Sequence, residues 1–299
     1  MSYDFTATAH AKWILAGEHA VLRGYPALLF PISSRSATLD YIETQQPAHF
    51  TCEEQNGEHL IKVIRDVIYH GLRLLNLSNS ALTGHFIIHN NVALGAGMGG
   101  SAVLCATVSR WFAYRNYIKQ DELFNFAHQL ENLFHGESSG ADVAISLFNQ
   151  SIIYRRNCPI EYFQPAWQPI WYLSNSEQHA PTANCIAKVK QLHAVDPAQA
   201  QQIDQDMQYS VELAITALQS TDQTIRLKQL CDAIHLANSC FIRWNLTTGR
   251  VPQHLQRLLQ AGALACKPTG AGDGGYILSL WEKPLTPEML NQLPPLIAL

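Results

Sequence analysis

Charge is scarce in this 299-residue chain: only 15% of positions are Asp, Glu, Lys or Arg, and the formal net charge is −4. A broad basic surface for nucleic acid is therefore not expected. No stretch approaches the roughly eighteen uninterrupted apolar residues that a membrane-spanning helix needs. The opening Met1-Ser2-Tyr3-Asp4 lacks a basic segment followed by a long apolar one, so no signal peptide is expected. The cysteines, at 52, 105, 158, 185, 231, 240 and 266, are odd in number and scattered. None forms a Cys-x-x-Cys pair, and no histidine cluster offers zinc-ligand spacing. Buried thiols in a reducing cytoplasm are the expectation. Low-complexity runs and internal repeats are also missing. What remains reads as a soluble protein, 47% hydrophobic and long enough to bury a full core in two domains.

Against this background one segment stands out: Leu94-Gly95-Ala96-Gly97-Met98-Gly99-Gly100-Ser101-Ala102-Val103. So many glycines pack poorly, but they let backbone N–H groups close around a ligand without side chains in the way. The apolar run His85-Phe86-Ile87-Ile88-His89 before it predicts a strand. Ser101 to Arg115 after it, apolar at Val103, Leu104, Thr107, Val108, Trp111 and Phe112, predicts an amphipathic helix. Strand, glycine turn and helix N-terminus together make an anion site, suited to a nucleotide's phosphates. No Lys-Ser or Lys-Thr closes the segment, so it is not a Walker loop, and its spacing fails the dinucleotide fingerprint. A tight turn with no ligand would use the same glycines.

Three further segments carry polar residues in suggestive places. Lys12 stands before a short apolar run, followed by Gly17-Glu18-His19; a strand ending in a loop with solvated Lys and Glu would look the same. The pattern Leu123, Phe126, Ala127, Leu130 and Phe134 predicts a helix flanked by Glu131. It leads to His135-Gly136-Glu137-Ser138-Ser139-Gly140-Ala141-Asp142, where Asp142 could equally be a helix cap. Lys267-Pro268-Thr269-Gly270-Ala271-Gly272-Asp273-Gly274-Gly275 is a second glycine loop, ahead of a strand expected over Tyr276 to Leu280.

In this order, the segments give the chain a resemblance to the GHMP kinases, from about residue 7 to 282. That family carries a lysine with Gly-Glu-His, a Pro-x-Gly-x-Gly-Leu-Gly-Ser-Ser-Ala phosphate loop and a C-terminal Lys-x-Thr-Gly-Ala-Gly-Gly-Gly-Gly. Here these read Lys12 with Gly17-Glu18-His19, Leu94 to Ala102, and Lys267 to Gly275. The segment His135 to Asp142 and the lead-in Gln260-Ala261-Gly262-Ala263-Leu264-Ala265 also match. The chain departs from the pattern at Ala93-Leu94, which lacks the proline, at Gly100, which replaces the first paired serine, and at Pro268 and Asp273 in the last loop.

The resemblance implies an α+β fold: an N-terminal domain like ribosomal protein S5 domain 2, a ferredoxin-like C-terminal domain, and an active site between them. The boundary between the two is expected near 165, around Cys158-Pro159 and Gln164-Pro165, giving 1–165 and 166–299. A coarse reading adds helices over Glu58 to Leu77, Asp121 to Phe134, Pro197 to Gln219 and Thr224 to Trp244, and a strand over Trp167 to Leu173. The resemblance further implies that Gly95, Ala96, Gly97, Met98, Gly99, Gly100, Ser101 and Ala102 bind ATP, and that Ser101 and Glu131 hold Mg²⁺. It makes Asp142 the base for the alcohol being phosphorylated, with Lys12 beside it as counter-charge. Glu18 and His19, with Lys12 and Asp142, are implied at the acceptor, and Thr269, Gly270, Ala271 and Gly272 form the C-terminal loop. Gly17-Glu18-His19 and the segment from His135 favour mevalonate as acceptor. Asp273 and Pro268 keep phosphomevalonate open, and a non-catalytic ligand-binding relative is the third alternative. A homodimer is left open; no nucleic-acid or membrane partner is implied.

Overall fold

Alternation of buried and exposed residues builds the first long strand, β1 (Phe5–Ala16), which becomes buried on both sides from Ala11 onward. The computed structural model describes residues 2–52, 57–79, 82–95, 97–135 and 138–299, the side chain of His135 excepted. In chain order there follow β2 (Ala27–Pro47), β3 (His49–Cys52), α1 (Gly57–Leu74), β4 (Thr83–Asn90), α2 (Gly100–Tyr114), α3 (Leu123–His135), α4 (Ala141–Phe148), β5 (Ile152–Tyr154), β6 (Glu161–Tyr162) and β7 (Ile170–Asn175). The chain continues with α5 (Thr182–Val195), α6 (Pro197–Gln219), α7 (Gln223–Arg243), α8 (Val251–Gln260), β8 (Ala265–Pro268), β9 (Tyr276–Trp281), α9 (Pro287–Gln292) and β10 (Leu296–Ala298). The fold is mixed α+β, as the resemblance implies. By its contacts the chain divides into two compact units: Met1–Lys12, Pro31–Leu94 and Gly99–Asn149 in the first, Trp13–Phe30, Gly95–Met98 and Gln150–Leu299 in the second.

In the first unit β4 runs antiparallel to β2, with Leu39 opposite Ile88, and parallel to β3, with Phe50 opposite Phe86. Helix α1 buries Leu60, Ile64, Val67, Ile68, Gly71 and Leu72, the single apolar stripe of a helix lying on a core. Helix α2 is buried nearly all round, at Ala102 through Ser109 and again from Trp111 to Ala113, and so forms the centre of that core. Trp111 packs edge-on against Phe86 at 5.1 Å, and Phe112 against Phe126 of α3 at 4.9 Å. Gly71 is needed where α1 meets α2, because a Cβ there would lie 2.6 Å from the Phe112 ring.

The second unit holds an antiparallel sheet in the order β10-β7-β9-β8. Trp171 of β7 sits opposite Leu280 of β9, and Lys267 of β8 opposite Leu278. Helices α6 and α7 form a long hairpin whose inner face carries Ile203, Met207, Val211 and Ala214 from α6 and Leu230, Ile234, Ala237 and Phe241 from α7. Asp196 and Asp222 cap these helices through bonds from the Gln199 and Thr224 N–H groups.

Several element ends differ from the sequence-based expectation. Helix α1 stops at Leu74 rather than Leu77, because Asn76 turns left-handed (φ 55°) and the Leu77 N–H bonds back to the Leu72 carbonyl at 2.8 Å. Strand β7 begins at Ile170 rather than Trp167: Pro169 has no N–H to give a ladder, and the Trp167 indole donates to the Ala217 carbonyl instead. The cysteines form no disulfide, and no helix among the described residues is long and apolar enough to cross a membrane.

Candidate active site

In the first unit the polar candidates converge at the N-terminus of α2. Gly99 is the N-cap, with a left-handed φ of 74°, and as a glycine it offers no side chain to cap the helix. A helix that begins at a glycine N-cap lets an anion approach its first turn closely. A Cβ on Gly99 would lie 3.1 Å from Lys12 Cγ and 3.5 Å from Asp142 Oδ2, so glycine is dictated both by the backbone angle and by the pair behind it. Lys12 Nζ stands 3.1 Å from that carboxylate. The lysine side chain is 2% exposed but the aspartate 29%, so the ion pair has one open face.

The elements that carry this pair are tied together through their backbones. Arg110 of α2 donates to the Thr8 carbonyl of β1 and to the Leu147 carbonyl of α4, and Ser146 Oγ of α4 donates to the His10 carbonyl. Asp142 does not cap its helix. Gly140 takes that place with φ 83°, and Asp142 lies within the first turn of α4, where the helix dipole favours a negative charge.

Glu131, on α3, is buried and accepts a hydrogen bond from Ser138 Oγ. Burial, and then the charge of Asp142, push its carboxyl up to about 8, against the opposing pull of the Ser138 hydroxyl and of Lys12. Ser138 was not singled out in the sequence. Its hydroxyl also accepts the Gly140 N–H at 3.1 Å, and its carbonyl is held by His128 Nε2 at 3.0 Å, so it links Glu131 to the start of α4. Among the described residues no three His, Cys, Asp or Glu side chains form a metal cage. A Mg²⁺ held by one or two protein oxygens, with phosphates and waters completing its shell, needs none. A buried carboxylate that is costly to ionise next to a second carboxylate is suited to such a cation.

The second unit holds the remaining motif residues, and there they bind one another. Lys267 pairs with Glu18 and donates to the Ile14 carbonyl at 3.3 Å; its ammonium lies 5.2 Å from the Phe241 ring centre. Both partners are sealed, at 0% and 2% side-chain exposure. His19, at a left-handed φ of 55°, donates from Nε2 to the Ala271 carbonyl at 2.8 Å. Burial lowers its pKa to about 4, which keeps the imidazole neutral. Thr269 Oγ1 accepts the Ile14 N–H at 2.9 Å and donates to the Ile14 carbonyl at 3.0 Å. Glu18, His19 and Thr269 thus fasten the last glycine loop to the segment after Lys12. Gly270 and Gly272 both take positive φ, and a Cβ on Gly270 would lie 3.0 Å from the Gly97 carbonyl oxygen. Gly95 and Gly97 are likewise left-handed. Gly100 opens α2 and Ala102 is buried in its first turn, while Met98 is buried just before it. Ala96, like Gly136 and Glu137 of the Asp142 segment, lies outside the described residues.

Sequence reading also missed Asp204. It lies on the buried stripe of α6, where Arg23 binds it with two guanidinium nitrogens and His193 Nε2 approaches to 3.2 Å. A carboxylate at a core position between Ala200 and Met207 was the available signal, because such a charge demands a partner.

The family model for the GHMP kinases N terminal domain matches residues 60–150. The chain is similar to the mevalonate kinase of Archaeoglobus fulgidus, 28% identical over 285 residues and covering 93% of each chain. Its fold is similar to that of the Methanococcus jannaschii mevalonate kinase, with a TM-score of 0.76 at 19% identity, covering 100% of this chain and 97% of the other. It is also similar to L. major mevalonate kinase solved with R-mevalonate, with a TM-score of 0.74 at 21% identity, covering 96% and 89%.

Proposed function

We propose that this chain, which belongs to the GHMP kinase family, transfers a phosphoryl group from ATP to mevalonate. The observation that carries the reading is the half-open Lys12–Asp142 pair beside the glycine N-cap of α2, with the buried Glu131 next to it. Phosphoryl transfer needs alignment and charge neutralisation more than covalent help from the protein. Gly95 to Ala102 offer backbone N–H groups to the triphosphate. Asp142 accepts the proton of the acceptor hydroxyl through its exposed face, and Lys12 orients that carboxylate. Ser101 and Glu131 supply the oxygen ligands for Mg²⁺, which when bound neutralises phosphate charge. Glu18 and His19 serve the acceptor through the loop they hold, Thr269 to Gly272.

A phosphorylated acceptor would need additional cations to meet its second anionic group. The cations near the motif segments are already committed: Arg23 to Asp204, Lys188 to Asp273 and Lys267 to Glu18. Mevalonate fits this charge balance better than phosphomevalonate. Initial rates of ADP formation with ATP and mevalonate, phosphomevalonate, homoserine or galactose test the reading. Mevalonate should be preferred over phosphomevalonate by at least about tenfold in kcat/KM, or ~1.4 kcal/mol. Phosphomevalonate as the better acceptor would overturn it.

A further inference from the structure

Asp273 interrupts a glycine run at a backbone angle that favours glycine, with φ 56°. A side chain there costs about 1 kcal/mol, a little less for Asp than for most residues. Here the side chain is fully used. Oδ2 pairs with Lys188 Nζ of α5 at 2.6 Å, while Oδ1 accepts the Thr248 N–H at 3.0 Å and the Thr248 hydroxyl. The Asp273 N–H donates to the Leu246 carbonyl at 2.6 Å. Burial pushes this carboxyl up, but the bonds from Lys188 and Thr248 outweigh it and hold it below the ordinary carboxylate range. The group is therefore charged at neutral pH.

Gln178, in the loop after β7, completes the arrangement. Its side-chain amide donates to the Asp273 carbonyl at 2.7 Å, and its Oε1 accepts the Arg250 N–H at 2.7 Å. Its own carbonyl accepts the Gly275 N–H at 2.8 Å. Gly249 and Gly274 are required around it, since a Cβ on either would come within 2.5 Å of a Gln178 oxygen. Three chain segments, at 178, 246–250 and 273–275, are thus locked by one aspartate and one glutamine.

The neighbour of one locked segment, and the loop that leads into another, lie against Gly95 and Gly97. A Cβ on Gly95 would stand 3.1 Å from Nε2 of His179, the neighbour of Gln178. A Cβ on Gly97 would stand 3.3 Å from the Thr269 carbonyl oxygen, in the loop that Asp273 ends. We infer that Asp273 and Gln178, closed by Lys188 and Thr248, form a clamp that sets the walls lying against Gly95 and Gly97, and that Asp273 is a positioning residue for nucleotide binding. The inference rests on the ATP-dependent reading above.

The test uses the full chain and two measurements: binding of a fluorescent ATP analogue, and KM for ATP and for mevalonate. Asp273→Gly suits the backbone angle but removes every side-chain bond. It should raise the nucleotide Kd and the ATP KM by roughly tenfold, leaving the mevalonate KM and kcat within about threefold. Asp273→Asn keeps acceptors for Thr248 and loses the charge facing Lys188; it should give a smaller rise of about threefold, matched by Lys188→Met. Should Asp273→Gly fail to fold, the Asn and Met variants carry the same selective test. Nucleotide affinity equal to the parent's in these variants, or ATP and mevalonate KM rising in step, would overturn the clamp. A parent that binds no nucleotide would overturn the kinase reading and the clamp with it.

Discussion

Two lysine–carboxylate pairs anchor the motif residues, and they differ in one physical respect. Lys12 and Asp142, in the first unit, keep an open face on the aspartate; Lys267 and Glu18, in the second, are closed to solvent on both sides. A sealed pair has already lost its hydration, so removing one partner leaves a bare charge in low dielectric. It cannot meet a substrate without unfolding part of its surroundings. A half-open pair costs less to disturb and can exchange a proton with something that arrives from solvent. The same residue types near the same N-terminal motif are therefore suited to different work: the closed pair to holding the fold, the half-open pair to the chemistry proposed above.

The largest stability effect should fall on the sealed pair. Lys267→Met should destabilise the protein by about 3–5 kcal/mol, because the buried Glu18 loses its opposite charge. Lys267→Met combined with Glu18→Gln should recover most of that loss. Urea unfolding of both variants checks this; equal losses in the single and double variants would mean that packing, not charge, is at stake.

A second effect belongs to the same region. His19 is neutral in the fold with a pKa of about 4, whereas the unfolded chain takes up its proton near 6.5. The unfolded state thus binds more protons between these values, and stability should fall as pH drops from about 6.5 towards 4, by up to ~3 kcal/mol. His19→Asn tolerates the left-handed backbone and does not titrate. Its unfolding free energy should be flatter over that window, and an unchanged acid slope would remove His19 as the source.

The half-open region answers differently. Glu131→Gln should raise the Mg²⁺ concentration needed for half-maximal ADP formation by roughly tenfold, because the proposed hard-cation ligand loses its charge. Superimposable Mg²⁺ titrations of variant and parent would leave Glu131 with a structural part alone.

How much of this was legible in the sequence depends on the range over which each feature is encoded. The strand, glycine turn and helix around Gly95–Ser101 were readable because the apolar period changes within a short window, and the structure gives β4 and α2 there. The long helices α6 and α7 were readable for the same reason. The pairing of Lys12 with Asp142 has no local signature, and only the resemblance brought the two residues together. The closure of Glu18 by Lys267 was hidden for a related cause: each residue reads locally as solvated, and burial on both sides is a property of the assembled core. Ser138, Gln178, Thr248 and Asp204 escaped because a polar residue on a loop or helix is ordinarily at the surface. Asp273 was visible as a break in the glycine run, yet its partners lie on three other segments.

The claim that the half-open pair performs the chemistry is tested most directly by Asp142→Asn, which keeps size and hydrogen bonding while removing the proton acceptor. Turnover of mevalonate at saturating ATP, nucleotide affinity and thermal stability should be measured on the same preparation. The account predicts a fall in kcat of about two orders of magnitude or more, or ~2.7 kcal/mol, with nucleotide affinity within a few-fold of the parent and little loss of stability. Near-parental turnover in that variant would contradict it.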